Sequence, residues 1–227
     1  MTPKTDKASN HWPLLDFLRA TAALLVLLTH TRFSYFPNID FADQTNVFLK
    51  LFYFITNMGH EAVAIFFVLS GFLIGGSLTD STLRGSFDLP RYLIARFVRI
   101  FIVYLPALVI TQGVFLFGLL LLSDPGDAPL SGHRQFGGVS KAICYLSGLQ
   151  GFSCPAWGKN PALWSLGYEW ALYLFAPAII QLIVWKASLG LRLLAVALVC
   201  AIAVTVCHYP TDAVFWFGAW FVGAGSY

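Results

Sequence analysis

Charged residues are scarce in this sequence. Asp, Glu, Lys and Arg together make up 11% of the 227 residues, whereas apolar residues make up 58%. The mean hydropathy is accordingly high, at +0.72. This composition excludes a water-soluble globular domain and indicates an integral membrane protein. The formal net charge of +3 is too small to indicate a nucleic-acid partner.

Cysteines are also few, and they carry no metal-binding pattern. None of the four forms a CxxC pair or a Cys/His spacing typical of a metal site, so we predict no metal. We interpret all of them as packing residues. They are Cys144, Cys154, Cys200 and Cys207.

Long apolar runs predict an all-α fold, a polytopic bundle of transmembrane helices. A helix needs about 20 mostly apolar residues to cross a bilayer. Five runs meet this requirement, and a sixth begins near Ala213. The five are Leu14–Thr31, Gly59–Leu78, Ile100–Leu122, Pro161–Trp185 and Leu191–Cys207. We therefore expect one membrane-embedded domain over residues 1–227 that stops within its sixth apolar segment, with no cleaved signal peptide.

Two shorter apolar segments differ from these runs. Val47–Thr56 is too short to cross and contains Lys50, which predicts an amphipathic segment in the interface. Lys141–Phe152 fits either a re-entrant segment or a tilted span. If it does not cross, eight basic residues lie inside and five outside, which predicts a cytoplasmic N-terminus by the positive-inside rule.

Arg19 and His30 lie on one face of the first predicted helix. Eleven helical steps of about 100° return to within about 20° of the starting direction, about 16 Å further along the axis. A charged side chain inside a span normally faces the bundle interior or a water-filled cavity. The alternative is structural, with Asp16 and Arg19 paired at the cytoplasmic interface and His30 at the opposite interface.

Three further groups of polar residues mark the later helices. Arg96 and Arg99 in "RFVR" share a helix face and suit a bidentate phosphate clamp, or alternatively a lipid-headgroup anchor. Glu169 lies inside a predicted span, which makes it a functional candidate, although a structural hydrogen bond is the alternative. Ser165 and Tyr173 flank it at i−4 and i+4.

The second predicted span begins with a pair of titratable residues. His60 and Glu61 are either interfacial residues or a second acid/base pair. The same span contains Gly71 and Gly75 in a GxxxG spacing, which indicates close helix packing.

Together these stretches resemble the acyltransferase-3 family of integral membrane O-acyltransferases. "LDFLRATAALLVLLTH" is similar to the family's first-helix Arg/Lys-x10-His motif, and "AVAIFFVLSGFLIG" to its second-helix signature. "RFVR" is similar to its Arg-x-x-Arg motif, and "LWSLGYEWALYL" to its Trp-Ser-Leu-x-x-Glu element. Many members carry Gly-Val-Asp where this chain has Ala62, Val63 and Ala64, with the acid at Glu61. The resemblance implies that the chain covers the first two thirds of the family domain.

The resemblance also implies an activity and a set of substrates. We expect transfer of an acyl group, specifically acetyl, from cytoplasmic acyl-CoA to a hydroxyl of an extracytoplasmic carbohydrate or glycolipid, in a bacterial inner membrane. His30 is implied as the catalytic base, or as the site of an acyl-imidazole, and Glu169 as its supporting carboxylate. Residues expected to bind acyl-CoA are Arg96, Arg99 and Arg19. Residues expected to contact the acceptor are His60, Glu61, Ser165 and Tyr173.

Two other classes of function fit the same residues. A secondary transporter or carrier would also use an intramembrane relay of His, Glu and Arg. A non-catalytic sensor or assembly subunit is the third reading. Binding of acyl-CoA distinguishes the enzyme from both.

Overall fold

The structure, a computed structural model, describes residues 12–36, 46–121, 138–156, 160–207 and 210–227. These residues form α-helices joined by turns. The helices are α1 (Pro13–Tyr35), α2 (Val47–Thr56), α3 (Gly59–Ser70), α4 (Gly76–Leu83), α5 (Leu89–Leu121), α6 (Gly138–Leu146), α7 (Trp164–Val184), α8 (Leu189–Val206) and α9 (Pro210–Gly225). A π-helical turn, Gly71–Gly75, joins α3 to α4 and is called the π-turn below. A 3₁₀ turn, Pro161–Leu163, precedes α7.

The predicted membrane bundle is confirmed. Five helical stretches are long and apolar enough to cross a bilayer. They are Pro13–Tyr35, Val47–Leu83, Leu89–Val114, Trp164–Val184 and Leu189–Val206. The predicted sixth segment forms α9, which has 16 residues and begins at Pro210.

The chain forms two compact units, Met1–Leu69 and Ser70–Tyr227. In the first unit α2 has the predicted bounds Val47–Thr56. Asn46 caps it, because its side-chain oxygen accepts from the N–H groups of Phe48 at 2.9 Å and Leu49 at 3.2 Å. The turn at Asn57 ends α2, so it is a separate short helix as predicted.

In the second unit α5 begins earlier than predicted. Its first residue is Leu89, eleven residues before the predicted start at Ile100. Asp88 stabilises this start, since its side chain accepts from the N–H of Arg91 at 3.1 Å. The basic residues of this stretch interrupt the apolar run but not the helix, because Arg is a good helix former. The Arg pair of "RFVR" therefore lies within the helix rather than before it.

The segment Lys141–Phe152 contains a short helix and a turn. The helix, α6, has nine residues, which is too few to cross a bilayer. Cys144 at its end forms a disulfide with Cys154 across ten positions. Our interpretation of these two cysteines as packing residues is therefore wrong. The chain reverses after α6 and brings them together, which no spacing motif in the sequence indicates. Cys200 and Cys207 are not disulfide-bonded, and Cys207 Sγ lies 3.8 Å from the Tyr168 hydroxyl.

The disulfide-closed turn packs tightly against α7. Gln150 is fully buried, and a Cβ at Gly167 would overlap its backbone carbonyl. Gly151 adopts a φ of +82°, a conformation that side chains disfavour, and lies against Trp164. The ring of Phe152 contacts Tyr168 edge-on, with centroids 5.4 Å apart. Two glycines and an aromatic pair thus fix the entry of α7.

The other close contact of this unit joins α9 to the π-turn. Cβ atoms at Gly71 and Gly75 would overlap the Trp220 carbonyl and the Ala224 side chain, respectively. Only glycine lets the two helices approach this closely, so the predicted packing role of the GxxxG spacing is confirmed.

Candidate active site

Glu169 lies at the centre of a hydrogen-bonded cluster in the second unit. Tyr173, one turn further along α7, donates its hydroxyl to Glu169 Oε1. Ser70 Oγ donates to the same oxygen at 3.4 Å. The indole N–H of Trp220 on α9 donates to Ser70 Oγ at 3.3 Å. We call these four residues the Glu169 cluster.

The cluster is enclosed, as a polar group within a span must be. Tyr173 and Trp220 are 0% exposed, and Glu169 and Ser70 are half-buried. Buried polar groups are stable only when hydrogen-bonded, and the carboxylate satisfies two hydroxyl donors here. Glu169 thus makes one hydrogen bond within its own helix and one to Ser70. These are structural hydrogen bonds of the kind that the alternative interpretation of Glu169 predicted. This leaves its chemical role open to test.

Ser165 does not join the cluster although it lies one turn before Glu169. Its hydroxyl donates instead to the Ala162 carbonyl, at 3.4 Å. This bond turns the side chain back to the 3₁₀ turn. Asn160, which directly precedes the 3₁₀ turn, donates its side-chain amide to Thr111 Oγ1 at 2.8 Å.

A cavity of about 360 Å³ lies between the end of α4 and the beginning of α5. We call it the α4–α5 cavity. Its volume is within the range of about 300–1,000 Å³ that is common for ligand sites. The polar residues that line it are Ser77, Ser81, Ser86, Asp88, Arg91, Tyr92 and Arg96. Ser81 and Ser86 donate their hydroxyls to backbone carbonyls, and Asp88 accepts from the N–H of Arg91. The two guanidiniums outnumber the single carboxylate, so the site suits an anion.

Two polar atoms at this cavity have no partner. Arg96 Nε and Tyr92 Oη are buried and make no hydrogen bond to any described residue. Leaving such an atom unpaired costs about 1–3 kcal/mol. A bound anion or water would remove that cost, so the cavity has the unmet donors of a ligand site.

Arg96 connects the α4–α5 cavity to the Glu169 cluster. Its guanidinium carbon lies 5.5 Å from the ring centroid of Tyr92 and 5.7 Å from that of Tyr173. Both distances are within the reach of a cation–π contact. Arg99, one turn further along α5, is exposed and does not line the cavity. Of the two arginines that the sequence paired, Arg96 lines this cavity and Arg99 does not.

In the first unit the end of α1 packs against the beginning of α3. The side chain of Thr29 lies where a Cβ of Gly59 would be, so the two helices are in close contact. The residues that follow these two in sequence are His30 and His60. His30 is half-buried, whereas His60 and Glu61 are exposed. The structure therefore brings together two of the histidines that the sequence singled out.

Two arginines of α1 differ in their surroundings. Arg19 lies 3.9 Å from the carboxylate of Asp16, which is the pair that the structural alternative predicted. Arg32 is only 4% exposed, with its guanidinium 4.0 Å from the ring centroid of Phe33. It also donates to Asn57 Oδ1 at 3.5 Å. The sequence marked Arg32 only as a basic residue outside a span, and no pattern in it indicates this burial.

Ser70 and Trp220 are the site residues that the sequence analysis missed. Neither is titratable in the useful range, and they lie 150 positions apart. Ser70 directly precedes the GxxxG spacing, which indicated packing, and Trp220 lies in the sixth apolar segment, which indicated a helix only. The hydrogen bond between them depends on how α9 packs, which no local pattern specifies.

Comparison with known proteins identifies relatives along the whole described chain. A family profile described as an acyltransferase domain, acyltransferase-3, matches residues 12–227. Acyltransferase MdmB from Streptomyces mycarofaciens is 30% identical over 224 residues, which cover 92% of this chain and 52% of that protein. Nodulation protein 10 from Rhizobium leguminosarum bv. viciae is 32% identical over 191 residues, which cover 82% and 48%. The chain spans about half the length of the curated relatives it matches, and no solved structure matches it.

Proposed function

Because this chain belongs to the acyltransferase-3 family of membrane acyltransferases, we propose that it transfers an acetyl group from cytoplasmic acetyl-CoA to a hydroxyl of an extracytoplasmic carbohydrate or glycolipid. The observation that carries this proposal is the position of Arg96. It lines the α4–α5 cavity on one side and contacts the ring of Tyr173 on the other. A donor held by its phosphates in the cavity would thus lie next to the Glu169 cluster.

The α4–α5 cavity suits the phosphates of acyl-CoA. Arg91 and Arg96 supply two positive charges, against the one carboxylate of Asp88, which accepts from the N–H of Arg91. Guanidinium groups bind phosphate through paired, charge-assisted hydrogen bonds. The unpaired Arg96 Nε and Tyr92 Oη would both gain an acceptor.

The transfer step needs a base, and we assign that role to His30. Neutral imidazole takes the proton of the acceptor hydroxyl while its oxygen attacks the thioester carbonyl carbon. The C–S bond of the resulting tetrahedral intermediate then breaks, and the CoA sulfur takes the proton back from the imidazolium. We assign to Glu169 the stabilisation of the positive charge that develops during this step.

The disulfide supports the sidedness that this proposal requires. Disulfides form in oxidising compartments and are rare in the bacterial cytoplasm. Cys144 and Cys154 lie between α5 and α7, the segment that charge counting assigns to the outside. A single crossing by α5 then leaves the α4–α5 cavity on the cytoplasmic side, where acetyl-CoA is made.

Arg96→Ala is expected to raise the apparent KM for acetyl-CoA by about ten- to hundredfold. Loss of a hydrogen bond to a charged group costs about 1.5–3 kcal/mol, and 1.4 kcal/mol corresponds to a factor of ten. The measurement is acetyl transfer by the full-length protein over a range of acetyl-CoA concentrations. Arg84→Ala is the matched control, because Arg84 is exposed and paired with Asp80.

Arg99→Ala separates the sequence prediction from the structural one. If both arginines clamp the phosphates, Arg96→Ala and Arg99→Ala should raise the KM for acetyl-CoA equally. Because Arg99 is exposed, the structure predicts a smaller rise for Arg99→Ala. If Arg96→Ala leaves the KM unchanged, the pair is a lipid anchor and the cavity is not the donor site.

A thiol introduced by Ser86→Cys is expected to be inaccessible from outside intact cells. Ser86 is exposed in the turn between α4 and α5 and lines the cavity. In a background with Cys200→Ser and Cys207→Ser, an impermeant maleimide should label it only in inverted membrane vesicles. Acetyl-CoA should slow that labelling by occupying the cavity.

Phe36→Cys is the positive control for this labelling, because Phe36 follows α1 and is exposed. The proposed topology places it outside, so intact cells should label it. Efficient labelling at position 86 from outside would reverse the topology and remove the donor-side assignment.

A further inference from the structure

The hydrogen bonds of Ser70 share one fixed direction, that of the bond from Trp220. The indole N–H of Trp220 can only donate, so Ser70 Oγ accepts from it. The single hydroxyl hydrogen of Ser70 donates either to Glu169 Oε1, at 3.4 Å, or to Tyr173 Oη, at 3.3 Å. Tyr173 donates to Glu169 Oε1, and an ionised carboxylate can accept from both hydroxyls. Ser70 Oγ is thereby held between the Trp220 indole and the Glu169–Tyr173 pair.

Ser70 differs in this respect from other hydroxyl residues of the described helices. Serine and threonine within helices commonly donate to the carbonyl four residues earlier. Thr29, Thr31 and Thr111 do so, at 2.9, 2.9 and 2.8 Å. The hydrogen bonds of Ser70 all go to side chains of the Glu169 cluster. Its hydroxyl is therefore committed to the cluster rather than to its own backbone.

Close packing of α9 on the π-turn fixes the positions of both Ser70 and Trp220. Ser70 directly precedes the π-turn, and Trp220 is 0% exposed. The carbonyl of Trp220 packs on Gly71, and its ring lies against Gly75. π-Helical turns inside α-helices are frequent at functional sites. Here the π-turn forms the surface on which α9 packs, and this packing places the indole next to Ser70.

We propose that Ser70 and Trp220 are positioning residues for acyl transfer, an inference that rests on the proposed function and extends it to α9. The indole holds the serine hydroxyl, and the hydroxyl holds one carboxylate oxygen of Glu169. The carboxylate oxygen is then held in one position within the cluster. Neither residue lines the α4–α5 cavity, so donor binding does not depend on them.

The test uses the full-length protein in membranes, with labelled acetyl-CoA and the native acceptors of the producing cells. Ser70→Ala and Trp220→Phe should each lower kcat about ten- to hundredfold, as expected for a misplaced catalytic group. The KM for acetyl-CoA should stay within about twofold of wild type. Because both changes cut the same connection, the double variant should be no slower than the slower single variant.

Ser70→Thr retains the hydroxyl and should recover most of the lost kcat. Two matched controls test for nonspecific effects of losing a serine or a tryptophan. Ser226→Ala removes a hydroxyl that bonds only to the Gly223 carbonyl, and Trp185→Phe changes a tryptophan that is 47% exposed. Both controls should transfer acetyl at the wild-type rate.

The possible failures are distinguishable. If the wild-type protein transfers no acetyl group, the proposed function fails and the inference fails with it. If the wild type is active and Ser70→Ala or Trp220→Phe keeps kcat within about twofold, only the inference is overturned. A Ser70→Thr variant as slow as Ser70→Ala would also overturn it, because that result indicates packing rather than a hydrogen bond.

Discussion

His30→Ala is expected to abolish acyl transfer while leaving the protein inserted in the membrane. His30 is half-buried near the end of α1, so its imidazole contributes little to the packing of that helix. A general base contributes about 10²- to 10⁴-fold to a rate, and the loss should be of this size. The measurement is acetyl incorporation from labelled acetyl-CoA by the full-length variant, at the expression level of wild type.

Thr31→Ala is the matched control for His30→Ala. Thr31 is the next residue of α1, is exposed, and donates its hydroxyl to the Leu27 carbonyl. Its loss should leave the transfer rate unchanged. If His30→Ala transfers acetyl within about threefold of wild type, His30 is an interfacial residue and the base must be another group.

His60→Ala tests whether the neighbouring histidine takes part. The two histidines directly follow Thr29 and Gly59, which are in contact, so His60 lies near His30 and is a candidate supporting group. A loss smaller than that of His30→Ala fits this supporting role. Equal losses would indicate that the two histidines work as one unit.

The long helices were predictable from the sequence because each apolar run is long enough to cross a bilayer. The short helix α2 was predicted at its observed bounds, since its length excludes a crossing and Lys50 marks an interface. The start of α5 was not, because the prediction equated the apolar run with the helix. Helix formation depends on backbone propensity and capping, and Asp88 provides the cap.

The candidate site was predictable only where its contacts are local. Glu169 and Tyr173 lie one helical turn apart, so their hydrogen bond follows from the spacing. The bond from Trp220 to Ser70 and the Cys144–Cys154 disulfide depend on how distant or reversing segments pack. A single sequence contains no periodic signal for such contacts.

The two arginines of "RFVR" share a helix face, but only Arg96 lines the α4–α5 cavity. Residues three apart point in similar directions, which is why they were expected to act together. The cavity, however, is formed by the end of α4 and the turn before α5, which reach only as far as Arg96. Neighbouring elements, rather than helix spacing alone, decide which side chain borders a cavity.

Glu169→Gln is expected to lower kcat by about 10²- to 10³-fold without unfolding the protein. Glutamine has the shape of glutamate, and its amide oxygen still accepts from Tyr173 and Ser70. The variant therefore retains the hydrogen bonds of the cluster and loses its negative charge. Loss of one preorganised electrostatic group in an active site typically costs this much in rate.

Glu169→Ala provides the contrast that separates charge from structure. It removes the acceptor of two buried hydroxyl donors, which should destabilise the protein by about 1–3 kcal/mol in addition to slowing transfer. Asp80→Asn is the control for loss of a carboxylate charge, since Asp80 pairs with Arg84 at the surface. If Glu169→Gln keeps the wild-type kcat and only Glu169→Ala is impaired, the carboxylate is a structural acceptor. A slow but stable Glu169→Gln variant instead requires that its charge act in the transfer step.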